Sequence, residues 1–213
     1  FFSICHLMPL TLYYYAIEGG RVGCIRAALL HAGVEFEDKM LNFQEYSQMK
    51  AAGTAPAGMP CLEIDGKQMT QSLAISRFVG KKSDLYPKDD VQALVVDEVM
   101  DIVQDVLTKC PQDPDAEVKK KKREEYAAGK MKDFFDQISK RMTEVPGPFL
   151  LGAKPSIADM QVFYLLDMLR MGFFDHVEPT YPDAWQPLVA HEKAMAESEV
   201  IKKYREYFAS KKP

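Results

Sequence analysis

The feature that most constrains the fold is a change of sequence pattern near residue 84. Before it, short strand-like and helix-like segments alternate, whereas beyond it apolar residues recur at helical spacing. Residues 81–90 between the two parts are polar and contain Pro87, which is typical of a connector between domains. A length of 213 residues is enough for two such domains. The sequence therefore predicts an α/β unit followed by an all-helical unit.

The first unit begins with a strand that is rich in aromatic and branched residues, Leu10 to Tyr15. Asp65-Gly66 is a dipeptide that closes hairpins, and Ser72 is a residue type that caps helices. The predicted order is strand (10–15), helix (22–32), strand (34–40), hairpin (61–69) and a helix from Ser72.

The second unit contains three long helical patterns. The first must end near Cys110 because Pro111 and Pro114 follow. Ser156 and Asp159 form a capping-box pattern, and the helix that they open is apolar on most sides, so we expect it at the centre of the bundle. The predicted helices cover residues 91–110, 116–142 and 157–171.

Charge and hydropathy exclude two classes of partner. With 27 Lys and Arg against 31 Asp and Glu, the formal charge is −4. The cationic run from Lys119 to Arg123 lies among glutamates, which favours a solvated helix face over a phosphate-binding patch. Apolar runs fall short of the roughly 20 residues that span a bilayer. We therefore expect neither a nucleic-acid nor a membrane partner.

The cysteines and the first residues bear on the cellular compartment. Residues 1–7 lack the basic start and cleavage site of a secretory signal, so we expect an extension outside the fold, with Met8 as the natural start. The four cysteines show neither CxxC spacing nor the density of a secreted framework, and the four histidines lack ligand spacing. We expect reduced thiols, a cytoplasmic location and no metal.

Several motifs then occur in order along the chain. Tyrosines 13–15 precede Gly20-Arg21, and the segment 57–75 contains Met59-Pro60 before the hairpin and Gln71-Ser72 at the next helix. Ser156-Ile157-Ala158-Asp159 follows in the second unit. Over residues 8–213 these motifs resemble the glutathione S-transferase family, most closely its sigma class and the related mu and pi classes.

The resemblance implies a thioredoxin-like glutathione-binding domain over residues 8–83, a linker over 84–90 and a helical domain over 91–213. It implies a homodimeric detoxification enzyme that joins the co-substrate glutathione to apolar electrophiles. Two other functions stay open. One is a glutathione-dependent isomerase of the prostaglandin D synthase type, and the other is a non-catalytic binder of glutathione or another ligand.

In similar proteins the counterpart of Pro60 is cis, and Met59 presents its backbone to the cysteinyl part of glutathione as a strand would. Gln71 and Ser72 match the pair that binds the γ-glutamyl carboxylate at a helix N-terminus, although Ser72 alone could simply cap the helix. Tyr46 and Lys50 match the aromatic and lysine that hold the glycyl carboxylate. Here Tyr replaces the usual Trp, and the following loop is one residue longer.

An acidic residue of the long helix belongs to the same implied site. Asp105 lies 34 positions after Gln71, the spacing of the family acid that reaches the glutathione of the neighbouring subunit. Asp101, one turn earlier, is the second choice. The resemblance thus implies a site shared between two subunits.

The implied nucleophile is the glutathione thiolate, which a tyrosine hydroxyl stabilises by a hydrogen bond. Counting back from Gly20-Arg21 selects Tyr15 as this catalytic residue, with Tyr14 second and Tyr13 on the face of Tyr15. Arg21 would add positive potential. Gly19 stands where an arginine is common in the family. Cys24 lies inside the first helix, which disfavours thiol-redox chemistry.

The electrophile pocket is expected between the two domains. Topology places Ala16 and Ile17 after the tyrosine, Leu107 near the end of the long helix, and the C-terminal Tyr207 and Phe208 around it. Methionines at helical spacing are more often core residues, so Met100, Met168 and Met171 are expected in the core.

Overall fold

The computed structural model describes residues 9–211. The expected extension over residues 1–7, which includes Cys5, therefore lies outside the described residues. Four strands form one sheet in the order β2-β1-β3-β4, with β1 parallel to β2 and antiparallel to β3. The strands are β1 (Leu10–Tyr15), β2 (Glu37–Leu41), β3 (Cys61–Ile64) and β4 (Lys67–Met69). Asp65 and Gly66 close the predicted hairpin with positive φ angles of 50° and 73°.

Three helices belong to this first unit: α1 (Gly20–His31), α2 (Phe43–Ala51) and α3 (Ser72–Lys82). Helix α2 was missed by the sequence analysis. Its N-terminus carries a complete capping box, in which Asn42 accepts a hydrogen bond from the Glu45 amide and Glu45 accepts one from the Asn42 amide. None of its residues is buried, so the apolar periodicity that reveals other helices is absent.

The helical unit follows Pro87. Its helices are α4 (Asp90–Lys109), α5 (Ala116–Tyr126), α6 (Lys132–Glu144), α7 (Ile157–Arg170), α8 (Gln186–Glu197) and α9 (Glu199–Lys211). The single helix predicted over residues 116–142 is instead α5 and α6, joined by a π-helical turn over Ala127–Met131. This α/β unit followed by an all-helical unit confirms the predicted fold class.

Helix α7 lies at the centre of the helical unit, as its sequence predicted. Eleven of its 14 residues are buried, and it contacts α1, α3, α4 and α8. Asp159 in its first turn is fully buried. One of its carboxylate oxygens accepts hydrogen bonds from the amide and hydroxyl of Ser156 at 2.7 Å, and the other accepts from the Leu150 amide at 2.8 Å. His191 Nε2 lies 2.9 Å from that second oxygen, which ties α8 to the start of α7.

The two units meet where α1 packs on α7. A Cβ atom at Gly23 would lie 2.7 Å from the Tyr164 ring, so the helices are close enough that only glycine fits. Beside this contact, the Gln161 side-chain amide donates to Cys24 Sγ at 3.1 Å and to Ser76 Oγ at 3.0 Å. Buried polar groups that are fully paired in this way fix one relative placement of the packed helices.

Within residues 9–211, no helix is long and apolar enough to cross a membrane.

Asp159→Ala is expected to destabilise the protein far more than the same change at an exposed helix N-cap. Asp89 accepts the amides of Val91 and Gln92 at the start of α4 but is exposed, so its replacement should cost about 1 kcal/mol of unfolding free energy. Loss of Asp159 leaves buried donors without an acceptor, and we expect about 3–5 kcal/mol. Equilibrium denaturation measures both, and equal costs would contradict the buried-network argument.

Candidate active site

Two adjoining cavities lie at the junction of the two units. The larger has a volume of about 600 Å³ and the smaller about 260 Å³, and Ile17, Gly20, Met168 and Phe173 line both. The residues that they share come from the loop after β1, the start of α1 and the end of α7. The cavities therefore lie where the sequence placed the electrophile pocket, between the end of the first strand and the helical unit.

The loop that forms the floor of the cavities is held by Arg26 of α1, whose side chain is fully buried. Its Nη1 donates to the Ile17 carbonyl at 2.7 Å and its Nη2 to the Tyr15 carbonyl at 3.3 Å. Its Nε lies 3.1 and 2.9 Å from the two carboxylate oxygens of Asp38 on β2. The Tyr204 hydroxyl of α9, in the helical unit, donates to the Glu18 carbonyl of the same loop. The backbone of this loop is thus fixed by both units.

Tyr14 of β1 and Arg21 of α1 are polar side chains that line the smaller cavity. Tyr14 is buried, and this burial raises the pKa of its phenol, although Arg21 and Arg26 act in the opposite direction. Arg21 Nε is buried and has no hydrogen-bond partner among the described residues. The phenol therefore stays protonated at neutral pH and can donate a hydrogen bond, next to a guanidinium with unused capacity.

Tyr15, the first choice for the catalytic tyrosine, is placed on the other face of the sheet. Its ring packs against Phe43 and Tyr46 of α2, with ring centroids 4.6 and 5.9 Å apart. Successive residues of a strand point to opposite faces, so Tyr14 and Tyr15 cannot both face α1. Tyr14, the second choice, is therefore the tyrosine that lines the smaller cavity, and Tyr15 does not line it.

The turn before α3 has the features that the resemblance implies for glutathione. The Met59–Pro60 peptide bond is cis. Gln71, not Ser72, is the N-cap residue, and it has a positive φ of 74°, which is uncommon for a residue other than glycine. No side chain caps this helix within residues 9–211, and Ser72 is buried in its first turn. The backbone amides of the first turn are therefore free to bind an anion.

The other residues implied for glutathione lie on α2 and α4. Lys50 Nζ lies 4.9 Å from the centroid of the Tyr46 ring, so the lysine is positioned by a cation–π contact. Asp105 is half exposed and pairs with Lys109 one turn later, at 2.6 Å. Asp101 is bound at 3.0 Å by Arg77 of α3. Of the two acids, Asp105 is the one held only by a neighbour on its own helix.

Most of the residues expected at the electrophile pocket line the cavities. Ala16, Ile17 and Phe208 lie at the larger one and Leu107 at the smaller. Tyr207 departs from expectation, because it lines neither of these two cavities and its hydroxyl is 3.2 Å from the Asp38 carboxylate on β2.

Several cavity residues were missed or misplaced by the sequence analysis. Met168 and Met171 line the larger cavity and Met171 is 66% exposed, whereas only Met100 is in the core as expected. Phe173, Gln112 and Arg123 were not foreseen. They lie in turns or on a helix face that carries a run of charges, so no apolar pattern pointed to them.

The cysteines within residues 9–211 are poorly suited to thiol chemistry. Cys24, Cys61 and Cys110 are free, and burial raises the pKa of each, that of Cys24 to about 11. A thiol with a raised pKa is a poor nucleophile at neutral pH. Within the described part of the chain, no group of three or more His, Cys, Asp or Glu side chains could hold a metal ion.

Comparison with known proteins bears on the family of the chain. Residues 8–81 match the family described as "Glutathione S-transferase, N-terminal domain" and residues 100–207 match "Glutathione S-transferase, C-terminal domain". Glutathione S-transferase 2 of Manduca sexta is 32% identical over 200 residues, which cover 89% of this chain and 95% of that protein. The class-mu 28 kDa isozyme of Schistosoma japonicum is 29% identical, covering 77% and 82%.

Solved structures share the fold over nearly the whole chain. A Nu-class glutathione S-transferase from Haemonchus contortus is 27% identical with a TM-score of 0.72, covering 93% of this chain and 96% of its own. Prostaglandin synthase D of Nilaparvata lugens has a TM-score of 0.77 at 23% identity, covering 96% and 98%. The architecture is that of a two-domain protein with an N-terminal thioredoxin-like domain. The chain belongs to the glutathione S-transferase family.

Cys110 is expected to report on occupancy of the smaller cavity, which it lines and where it is partly exposed. In a Cys5→Ser background, a thiol reagent should label Cys110 slowly in the folded protein, while the buried Cys24 and Cys61 react only on unfolding. An apolar compound that fills the cavity should slow the labelling of Cys110. Cys110→Ser is the control and should lose this slow labelling. If no cavity ligand changes the labelling rate of Cys110, the placement of Cys110 at the smaller cavity is contradicted.

Proposed function

We propose that this protein is a glutathione transferase that adds the glutathione thiolate to apolar electrophiles. The observation that carries the proposal is the protonated Tyr14 phenol beside the unpaired Arg21 guanidinium, at a cavity between the two domains. Glutathione is the co-substrate, and its sulfur is the nucleophile. Membership of the family and the cis Met59–Pro60 bond support the same activity.

Tyr14 is the proposed catalytic residue, in place of Tyr15. Its hydroxyl donates a hydrogen bond to the sulfur, which stabilises the thiolate more than the thiol and so lowers the thiol pKa from about 8.5. The raised pKa of Tyr14 keeps the proton on the phenol, where it serves as the donor. Arg21 adds a fixed positive charge that favours the anion. In a displacement, attack by the thiolate forms a carbon–sulfur bond and the leaving group departs with its electron pair. In an addition, the same bond forms, the electron pair of the attacked double bond moves to the neighbouring atoms, and water supplies the proton.

Glutathione is proposed to lie across the turn before α3. The γ-glutamyl carboxylate would bind at Gln71 and Ser72, where the helix N-terminus presents free amides. The backbone of Met59, directed by Pro60, would pair with the cysteinyl part as an added strand. Tyr46 and Lys50, already in contact, would hold the glycyl carboxylate. This binding fixes the sulfur beside Tyr14, and orientation of the two reactants lowers the barrier.

A second activity shares this site. An isomerase of the prostaglandin D synthase type would use the same thiolate, and a prostaglandin synthase shares this fold. The supporting observation is the pair of methionines at the cavity rim, because flexible thioethers adapt to elongated apolar substrates. Product analysis with a lipid endoperoxide distinguishes the two activities. Within the family, the chain is proposed to be nearest the sigma class, on the resemblance of its motifs over residues 8–213.

The protein is proposed to act as a homodimer in the cytoplasm, in detoxification. Free thiols at Cys24, Cys61 and Cys110 fit a reducing compartment. Val91 and Leu94 near the start of α4 are about 70% exposed, which leaves apolar side chains for a second copy to cover. Asp105 lies three turns further along the same helix.

Tyr14→Phe should lower the rate of glutathione conjugation, and Tyr15→Phe should not. At pH 6.5 we expect a loss of about 10- to 100-fold for Tyr14→Phe, because the thiol pKa returns toward its free value and less thiolate is present. The loss should shrink as the pH rises above about 8.5, where free glutathione ionises unaided. Conjugation of chlorodinitrobenzene, followed from pH 6 to 9, measures both variants.

Tyr15→Phe is the matched control because it removes one hydroxyl from the adjacent residue on the opposite face. A loss confined to Tyr15→Phe would restore the first choice from the sequence. If the native chain binds glutathione but conjugates nothing, the transferase activity is wrong and a binder or a narrow isomerase takes its place.

Asp105→Asn should raise KM for glutathione with little change in kcat, because the carboxylate is proposed to bind the γ-glutamyl amine of the partner's glutathione. Asp101→Asn is the control, since Arg77 already holds that carboxylate. Sedimentation should give twice the 24.2 kDa chain mass. A monomer in solution, or an effect of Asp101→Asn alone, would contradict the shared site.

A further inference from the structure

The smaller cavity is lined by cations and by no acid within the described residues. Its ionisable and polar lining consists of Tyr14, Arg21, Cys110, Gln112 and Arg123, and the remaining side chains are apolar. Arg21 faces the proposed thiolate position. Arg123 has no part in that chemistry, so a second guanidinium lies at the cavity with no assigned function.

Arg123 of α5 is fixed in place although it lies at a cavity. Its side chain is 5% exposed, its Nε donates to the Pro111 carbonyl at 3.0 Å, and its Nη1 donates to the Asp175 carbonyl at 3.1 Å. Its Nη2 makes no hydrogen bond to the described residues. The guanidinium is thus oriented by two backbone carbonyls and keeps one nitrogen for a ligand, which lowers the entropy cost of binding an anion.

The charge of Arg123 is only partly balanced. The nearest acid is Asp175, whose carboxylate lies 3.6 Å away, is half exposed and is 2.9 Å from Lys119. Two cations therefore share one solvent-screened carboxylate. A buried cation of this kind favours an anionic ligand group more strongly than a surface lysine does.

The larger cavity has the opposite character. Glu18 and Asp167 line it, and Arg205, its one cationic lining residue among those described, lies 3.6 Å from Glu18. Burial and the neighbouring Glu18 raise the pKa of Asp167. An anionic group is disfavoured there, whereas the apolar wall of Ile17, Met168 and Phe173 continues from one cavity into the other.

We propose that the smaller cavity recognises a carboxylate on the electrophile, with Arg123 as the residue that determines this specificity. The preferred substrates are amphiphilic: a carboxylate binds Arg123 Nη2 and the Gln112 amide, and the apolar body lies along Leu107, Phe173 and the larger cavity. The two guanidiniums then face two anions, since Arg21 meets the thiolate and Arg123 meets the carboxylate. The conjugation of these substrates rests on the proposed function, whereas the binding of their carboxylate at Arg123 does not.

The test uses a matched pair of electrophiles, 4-chloro-3,5-dinitrobenzoate and its methyl ester. In both, the glutathione thiolate attacks the ring carbon that carries chlorine, a carbon–sulfur bond forms, and chloride leaves with its electron pair. The specificity constant kcat/KM of each is divided by its uncatalysed rate with glutathione, which removes the difference in reactivity. We expect the native chain to prefer the acid by about tenfold.

Arg123→Met should abolish this preference by raising KM for the acid, while kcat/KM for the ester stays unchanged. Arg123→Lys, which keeps the charge, should retain part of the preference. Lys119→Met is the control, because Lys119 shares Asp175 but does not line the cavity. An equal loss for acid and ester in Arg123→Met would show that Arg123 only positions Pro111 and Asp175, and would overturn the proposal. An acid-to-ester ratio of one or less in the native chain overturns it without any variant.

Calorimetric titration of the two compounds without glutathione separates this inference from the proposed function. If the chain conjugates neither compound but binds the acid more tightly than the ester, and Arg123→Lys weakens only the acid, the carboxylate site stands and the transferase activity fails. If the chain conjugates chlorodinitrobenzene and binds acid and ester equally, the transferase activity stands and the carboxylate site fails.

Discussion

The buried ion pair between Arg26 and Asp38 is the interaction on which the site depends. A buried guanidinium is stable only when its charge and its donors are matched, and here one carboxylate and two backbone carbonyls do so. Those carbonyls belong to Tyr15 and Ile17, the residues where the first strand turns toward the cavities. The requirement to satisfy one arginine thus sets the path of the loop that directly follows the proposed catalytic tyrosine, Tyr14, and that lines the cavities.

The sequence predicted the fold more fully than the site, and the tyrosines show why. Fold class follows from patterns summed over many residues, such as the apolar stripe of α4 and the capping box at Ser156. The choice between two neighbouring tyrosines for the proposed catalytic role instead depends on one residue of register. Tyr14 and Tyr15 are identical in chemistry, and the alternation of side chains along β1 decides which of them faces the smaller cavity.

The features that the sequence analysis missed lack the apolar periodicity from which helices and core positions are predicted. Helix α2 buries no residue, so only the local Asn42–Glu45 capping box could have revealed it. Arg123 lies in a run of five cations, where nothing separates the one buried side chain from its solvated neighbours. The π-helical turn at Ala127–Met131 places Met131 in the core, a shift of phase that a helical repeat does not anticipate.

The glycine contact between α1 and α7 also has a consequence for how reactants enter. Because the Tyr164 ring occupies the space of a Cβ at Gly23, and the Gln161 amide bridges the same two units, the domains cannot part by sliding without breaking close-packed contacts. Access must come from motion at the mouth of the larger cavity. Met171 and Phe173 there are more than 60% exposed and carry few packing constraints, so side-chain rotation on a rigid frame would control entry and product release.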